Sequence, residues 1–209
     1  CMRVLTGAYS MLAHGVPPSA FERVVDVAIK PLLTLLHHRR DVTLQLSLPM
    51  SLIEYLDTSH MPLSLLLADL CRGGKVELLG GSYHQPILSL ISAKDRSNQI
   101  EMMTTALRKR FGQRPKNYFC HAQIFNPSYI NTLNLCCMET VITSMEGTSG
   151  GGSGHQDRPY LMQEMGKSVI IIPTSDVVNA AVRDYSARSL SFASLVRLIK
   201  ELQQTRPEF

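Results

Sequence analysis

The alternation of apolar and polar positions along the chain divides it into short strands and longer helices. Val42, Leu44, Leu46 and Leu48 alternate strictly with Thr43, Gln45 and Ser47, a period of two that predicts a strand with one apolar and one polar face. Short apolar runs at 3–8, 75–79, 117–121, 140–143 and 168–172 predict five more strands. Helical spacing occurs between them. Ser19-Ala20-Phe21-Glu22 has the form of a capping box, opening a helix with Phe21, Val24, Val25, Ala28 and Leu32 on one face, and Pro31 interrupts its second half. Pro62 starts a helix over 63–72 that Gly73-Gly74 stops. A long helix over 95–111 aligns Ile100, Met103, Leu107 and Phe111. A helical turn or two covers 128–135, and an amphipathic helix over 190–202 turns Leu195, Leu198, Ile199 and Leu202 inward.

Six strands interleaved with helices predict an α/β protein with a parallel sheet, either doubly wound or closed into a barrel. In such folds ligands sit at the carboxyl ends of the strands, which nominates residues 8–11, 80–85, 121–125, 143–146 and 173–176.

Composition narrows the classes. The chain has 209 residues, enough for one sizeable core, and 1–209 reads as a single domain. A net charge of +4 is mild. The basic clusters His37-His38-Arg39-Arg40 and Arg108-Lys109-Arg110 fall where helices end and complement their dipoles. Aromatic residues are not interleaved with them, so nucleic acid is not an expected partner. No apolar run approaches the roughly 18 residues of a membrane span, and no secretory leader is visible. Cys71, Cys120, Cys136 and Cys137 fall inside apolar segments and read as small buried hydrophobes of a reducing, cytoplasmic compartment. Cys1 opens an alternative, a lipid anchor on a mature bacterial lipoprotein, beside the plainer reading of a chain boundary. The abrupt Pro207-Glu208-Phe209 end reads as truncation.

Several chemistries are weighed and set aside. The run 147–154 is Gly-rich and follows a strand, but lacks the Lys-Ser/Thr pair of a phosphate loop, so it reads as a flexible surface loop. His84 and His121 fall at neighbouring strand ends, yet no further His or carboxylate stands at ligand spacing from either, and no metal or other cofactor is expected. Ser82 in Gly80-Gly81-Ser82-Tyr83-His84 does not have nucleophile-elbow form. Cys120 and His121 alternate to opposite strand faces and cannot pair. Glu77 stands alone among Val76, Leu78 and Leu79, either as hydrogen-bonded structure or as part of a site.

The segment Gly74-Lys75-Val76-Glu77-Leu78-Leu79-Gly80-Gly81-Ser82-Tyr83-His84-Gln85-Pro86-Ile87-Leu88 resembles a hallmark stretch of glycoside hydrolase family 57. The stretch from Ala93-Lys94-Asp95-Arg96 to Arg114-Pro115 is similar to the family as well. Phe119-Cys120-His121-Ala122-Gln123-Ile124-Phe125-Asn126-Pro127 is similar to its W-L-x-E-R-V-W-x-P motif. The resemblance implies an incomplete (β/α)7-type parallel barrel, of which this chain is the N-terminal portion, and α-amylase or 4-α-glucanotransferase chemistry.

Residue by residue, the family's nucleophile Glu falls on Ala122 and the neighbouring Arg on Gln123. Its two tryptophans fall on Phe119 and Phe125, and its substrate-contacting His, in Tyr9-Ser10-Met11-Leu12-Ala13, on Met11. Gln85 stands where a Glu often precedes Pro, and Ser144 where an Asp often follows a strand. The segment with the family's acid/base Asp is expected beyond Phe209. Retaining glycosidases need two carboxyl groups about 5 Å apart, and alanine cannot form the glycosyl-enzyme. The resemblance therefore implies a catalytically degenerate relative that keeps a groove for α-glucan or a related sugar. Tyr83, His84, Gln85, His121 and Phe125 would line that groove, with Glu77 as a polar anchor. Two alternatives stand beside it. One is an active hydrolase or transferase using a displaced carboxylate such as Glu146 or Asp176, or completed by a missing C-terminal part. The other is a protein-interaction or structural role with a vestigial groove.

Overall fold

The structure, a computed structural model, describes residues 7–9, 15–39, 41–121, 124–144 and 158–205. Six of its strands run parallel. β1 (Gly7–Tyr9), β2 (Leu44–Ser47) and β3 (Val76–Leu78) form one three-stranded run. β4 (Asn117–Phe119), β5 (Thr140–Ser144) and β7 (Lys167–Thr174) form a second, to which β6 (Tyr160–Glu164) adds an antiparallel edge. A parallel bridge between Gly80 and Tyr118 joins the two runs, with the Gly80 amide donating to Asn117 O at 2.8 Å and the Phe119 amide to Gly80 O at 2.9 Å.

Alternation along the strands sends Leu46, Leu48, Val76 and Leu78 to one face, where they pack with helices α1 (Pro18–Val24), α2 (Lys30–His38), α3 (Met50–Ser59) and α4 (Met61–Arg72). Tyr118, Val141, Val169 and Ile171 do the same against α6 (Tyr129–Leu135). α5 (Ala93–Phe111) serves both cores, giving Met103, Leu107 and Phe111 to the first and Ile100 to the second. These are the four positions that helical spacing singled out.

The opposite face of the sheet is polar near the amino ends of the strands. Gln45 Nε2 donates to Glu77 Oε2 at 3.0 Å, Asn117 Nδ2 to Glu77 Oε1 at 2.7 Å, and Thr140 Oγ1 to Asn117 Oδ1 at 2.5 Å. One ladder thus crosses β2, β3, β4 and β5. Glu77 is exposed and both its oxygens are occupied, so its carboxylate is hydrogen-bonded structure.

Several expectations need correction. Ser19 caps nothing, because Pro17 is the N-cap residue and Pro18 takes the first helical position, where its missing N–H costs no bond. Glu22 turns instead to Tyr55 OH and His60 Nε2, at 2.6 and 2.9 Å. Between α1 and α2 lies a π-helical segment, Val25–Ile29, in which the Lys30 amide bonds back to Val25 O. The wide turn precedes Pro31, which has no N–H to contribute, and it shifts the phase. The buried face runs Phe21, Val25, Ile29, Leu33 and Leu36, while Ala28 is exposed and Val24 and Leu32 are half-buried.

Helices α3 and α7 (Asp176–Ser186) and strand β6 are additional elements. β6 returns on β7 through Met165-Gly166, both at positive φ, 49° and 76°, as a two-residue hairpin turn demands. Cys137 is exposed and left-handed at φ 60°, in contrast to the buried Cys71, Cys120 and Cys136, and all four are free thiols. The C-terminal helix α8 spans Phe192–Thr205, with Leu195 buried and Leu198, Ile199 and Leu202 half-buried. No helix among the described residues is long and apolar enough to cross a membrane. The residues from 147 to 154, and Cys1, lie outside the described residues.

The π segment makes a testable claim about phase. Leu33→Ala is expected to cost about 2–5 kcal/mol as a core truncation, whereas Leu35→Ala, at a position 54% exposed, should stay within about 0.5 kcal/mol. Urea midpoints of the two variants measure this, and equal losses would contradict the phase described.

Candidate functional site

Polar side chains collect at the carboxyl ends of the strands. β2 ends on Ser47, fully buried, and β4 leads directly into His121, only 7% exposed. His121 follows Phe119 on the face away from the helices, and the two rings meet edge to face with centroids 5.4 Å apart. His121 Nε2 lies 3.1 Å from Ser47 Oγ. That bond passes over β3, and the space for it exists because residue 81 is glycine. A Cβ on Gly81 would come within 2.5 Å of His121 Cε1.

With no charged group setting its protonation, burial pushes the imidazole down to about 4, so it is neutral at pH 7. Its Nδ1 is buried without a hydrogen-bond partner among the described residues. A neutral ring offers one donor and one acceptor; Ser47 satisfies one of them and the other is left open.

A second polar pair sits further along the array. Ser144 Oγ, at the end of β5, donates to the Asp176 carboxylate at 3.3 and 3.2 Å. Asp176 occupies the first turn of α7, just beyond β7, where Ser175 is the N-cap residue. A carboxylate there is favoured by the helix dipole.

The residues nominated from sequence do not form one surface. Glu77 belongs to the ladder, three residues before Gly80 and so about 10 Å toward the amino ends at the rise of a strand. Tyr83 turns to the helix layer, its hydroxyl donating to Glu54 Oε1 at 2.5 Å, a bond that raises the phenol above its usual range. His84 is exposed, with its amide held by Gln99 Oε1 at 2.9 Å and its ring against Tyr83 at 4.8 Å. Gln85 is half-buried at φ 53°. Phe125 is 1% exposed and packs edge-on against Tyr129 at 5.7 Å, so its ring belongs to the second core and presents no face to a sugar. His121 alone of the six lies at a strand's carboxyl end on the inner face. Ala122, Gln123, Met11 and Glu146 lie outside the described residues.

The alternation of Cys120 and His121 is observed. Cys120 Sγ donates to Ile124 O at 3.1 Å, and burial raises its thiol to about 11, far from a reactive thiolate. Ser82 bonds Tyr118 OH at 3.0 Å and has no histidine beside it in that bond. Among the described residues no group of three His, Cys, Asp or Glu could hold a metal ion. Sequence reading gave Ser47 no part in a site, although it closes the polar side of the β2 alternation, and included Gly81 only within the nominated stretch 80–85.

The fold and this site define an α/β protein whose polar pairs stand at the carboxyl ends of a largely parallel sheet, the place such folds bind ligands. The chain belongs to glycosyl hydrolase family 57, whose model matches residues 18–183. Alpha-amylase 1 of Dictyoglomus thermophilum is 24% identical over 156 residues, covering 74% of this chain and 23% of that protein. The 4-alpha-glucanotransferase of Thermococcus litoralis is 21% identical over 158 residues, covering 75% of this chain and 24% of that one. The crystal structure of a 4-alpha-glucanotransferase from Thermococcus litoralis matches with a TM-score of 0.83 at 19% identity, over 95% of this chain and 30% of that chain. An alpha-amylase from Thermotoga maritima matches with a TM-score of 0.68 at 14% identity, over 85% and 46%. At these identities the structural likeness shows the fold. The chain spans about a quarter of the length of the curated relatives it matches.

The buried imidazole makes stability depend on pH with a definite sign. The unfolded chain protonates His121 near its ordinary 6.5, the folded chain only at about 4. Its contribution is therefore complete above pH 6.5 and is lost as pH falls through that window, by roughly 3 kcal/mol. Urea midpoints from pH 7 to 4 should fall more steeply for the native chain than for His121→Gln, and parallel curves would refute the assignment. Gly81→Ala should cost about 1–3 kcal/mol by overpacking against the ring.

Proposed function

We propose that this chain is the amino-proximal part of an incomplete (β/α)7 barrel of family 57 that binds α-glucan or a related sugar without hydrolysing it. The observation that carries this reading is Ala122, which stands where the family's motif has its nucleophile carboxylate. A retaining mechanism forms a covalent glycosyl-enzyme through that carboxylate and needs a second carboxyl group about 5 Å away. A methyl group can do neither. Loss of an essential nucleophile costs orders of magnitude in rate, while binding needs only an apolar floor and a few fixed polar groups. Ser47, Phe119 and His121 supply such groups on the inner face, and Ser144 with Asp176 adds a second polar pair.

One observation favours a second reading, in which activity persists through a displaced carboxylate. Asp176 is a carboxylate at the carboxyl end of the array, exposed and oriented by Ser144. Against it, the two oxygens are engaged by a hydroxyl, and no carboxylate partner stands beside them among the hydrogen bonds of that pair.

The two readings separate in one experiment on maltoheptaose. Calorimetry should register binding by the unmodified protein, and a reducing-sugar assay should register no release. Release that disappears in Asp176→Asn would establish the second reading and end the first. Ala122→Glu tests whether the surrounding site can still support the chemistry, and it should leave the affinity for the sugar within about tenfold.

A further inference from the structure

We propose that the cleft between α5 and the end of α6, on the helix side of the sheet, is a binding site for a phosphorylated monosaccharide, independent of the glucan reading above. The cleft encloses about 210 Å³, smaller than the roughly 300–1,000 Å³ of pockets for drug-sized ligands and suited to one small polar molecule. Glu101, Thr104, Thr105 and Arg108 line it from one face of α5, at spacings that place side chains side by side on a helix. Arg114 enters from the segment between α5 and β4, and Cys136 from the end of α6.

The other arginines of α5 have structural work. Arg96 donates through Nε to Leu88 O at 2.7 Å and lies over the Tyr129 ring, and Arg110 pairs with Asp57 at 2.6 Å. Arg108 and Arg114 form no ion pair or hydrogen bond through their side chains among the described residues, and neither does Glu101. Arg108 sits in the last turn of α5, where a cation complements the dipole. That effect accounts for one positive charge. It does not account for the second guanidinium from outside the helix, or for both lining one cavity.

Two arginines lining one cleft suit a phosphoryl group, which takes paired, charge-assisted hydrogen bonds from guanidiniums, and Arg108 stands about two helical turns from Glu101 along α5. A single unpaired carboxylate at Glu101 accepts hydrogen bonds from hydroxyls, and a bare oxyanion would meet repulsion there. A molecule with a phosphoryl group at one end and hydroxyls at the other uses both. That combination is a sugar phosphate.

Calorimetry on the full chain with glucose 6-phosphate, inorganic phosphate and glucose tests the site. Glucose 6-phosphate should bind, inorganic phosphate about tenfold more weakly, and glucose not measurably. Arg108→Gln and Arg114→Gln, both at exposed positions, should each weaken glucose 6-phosphate by about tenfold or more. Glu101→Gln should weaken glucose 6-phosphate while leaving inorganic phosphate unchanged or tighter. Circular dichroism should show each variant folded. Absence of binding by either phosphate, or full affinity in both arginine variants, overturns the site. Full affinity for glucose 6-phosphate in Glu101→Gln overturns its assignment to a sugar.

Discussion

Two consecutive glycines join the halves of this sheet, and each is required by a close approach. At Gly80 the strands of the first run meet those of the second through a single bridge to Tyr118. A Cβ there would stand 3.2 Å from Asn117 O and 3.3 Å from Met138 Cε, closer than backbone pairing and the second core would comfortably accept. At Gly81 the missing side chain leaves the slot that the His121 ring fills. The bridge sets β4 beside β3, and the ring then reaches across β3 to Ser47 on β2. A side chain at the first glycine would force Asn117 and Met138 to give way at the bridge. Without the second, the carboxyl end of β4 would lose its tie to β2.

That junction also explains why the inner face divides into two polar layers with different duties. Near the amino ends, the Gln45–Glu77–Asn117–Thr140 ladder is open to solvent and saturates both Glu77 oxygens. It holds four strands in register, and a carboxylate with partners on both neighbouring strands does this without paying for burial. Near the carboxyl ends, the Ser47–His121 pair is buried and leaves one ring nitrogen without a partner among the described residues. The bottom layer is satisfied structure. Unsatisfied capacity lies at the top, where ligands of parallel α/β proteins bind.

Much of this was legible in the sequence where one rule acted alone. The buried face of α5 follows from spacing, and its Ser92 cap and left-handed Gly112 close the helix at both ends. The polar side of β2 follows from alternation. Reading failed where a second rule intervened. The capping box at Ser19 yielded to two prolines, and the phase of the first helix yielded to the π turn before Pro31. α3 begins at Pro49 with no side-chain cap to announce it, and the turn of the β6–β7 hairpin places Met165 where Asn or Asp would have signalled it. The nominated residues are dispersed for a different reason. Phe125 and Tyr83 have the chemistry of sugar contacts, but their exposure depends on which way the chain turns after a strand, and both turn into the helix layer. The His121–Ser47 contact requires the strand order, which no local pattern contains.

The fate of the family's motif is therefore a question of which physical constraints its residues served. Positions that hold the sheet together have a packing or hydrogen-bonding reason for their chemistry. A Cβ at Gly81 would collide with the His121 ring and one at Gly80 would crowd Asn117 O and Met138, while the Glu77 carboxylate accepts from two side-chain amides. Ala122 lies outside the described residues, so these packing arguments do not extend to it. His121 is a mixed case. Its ring fills the slot that Gly81 leaves open, so its bulk serves packing, while a buried neutral imidazole with one nitrogen unpartnered among the described residues exceeds what packing needs. A purely structural filler of that slot would be apolar and would spare the chain its acid-dependent loss of stability. The histidine at the carboxyl end of β4 thus carries a stability cost that its packing role alone does not explain.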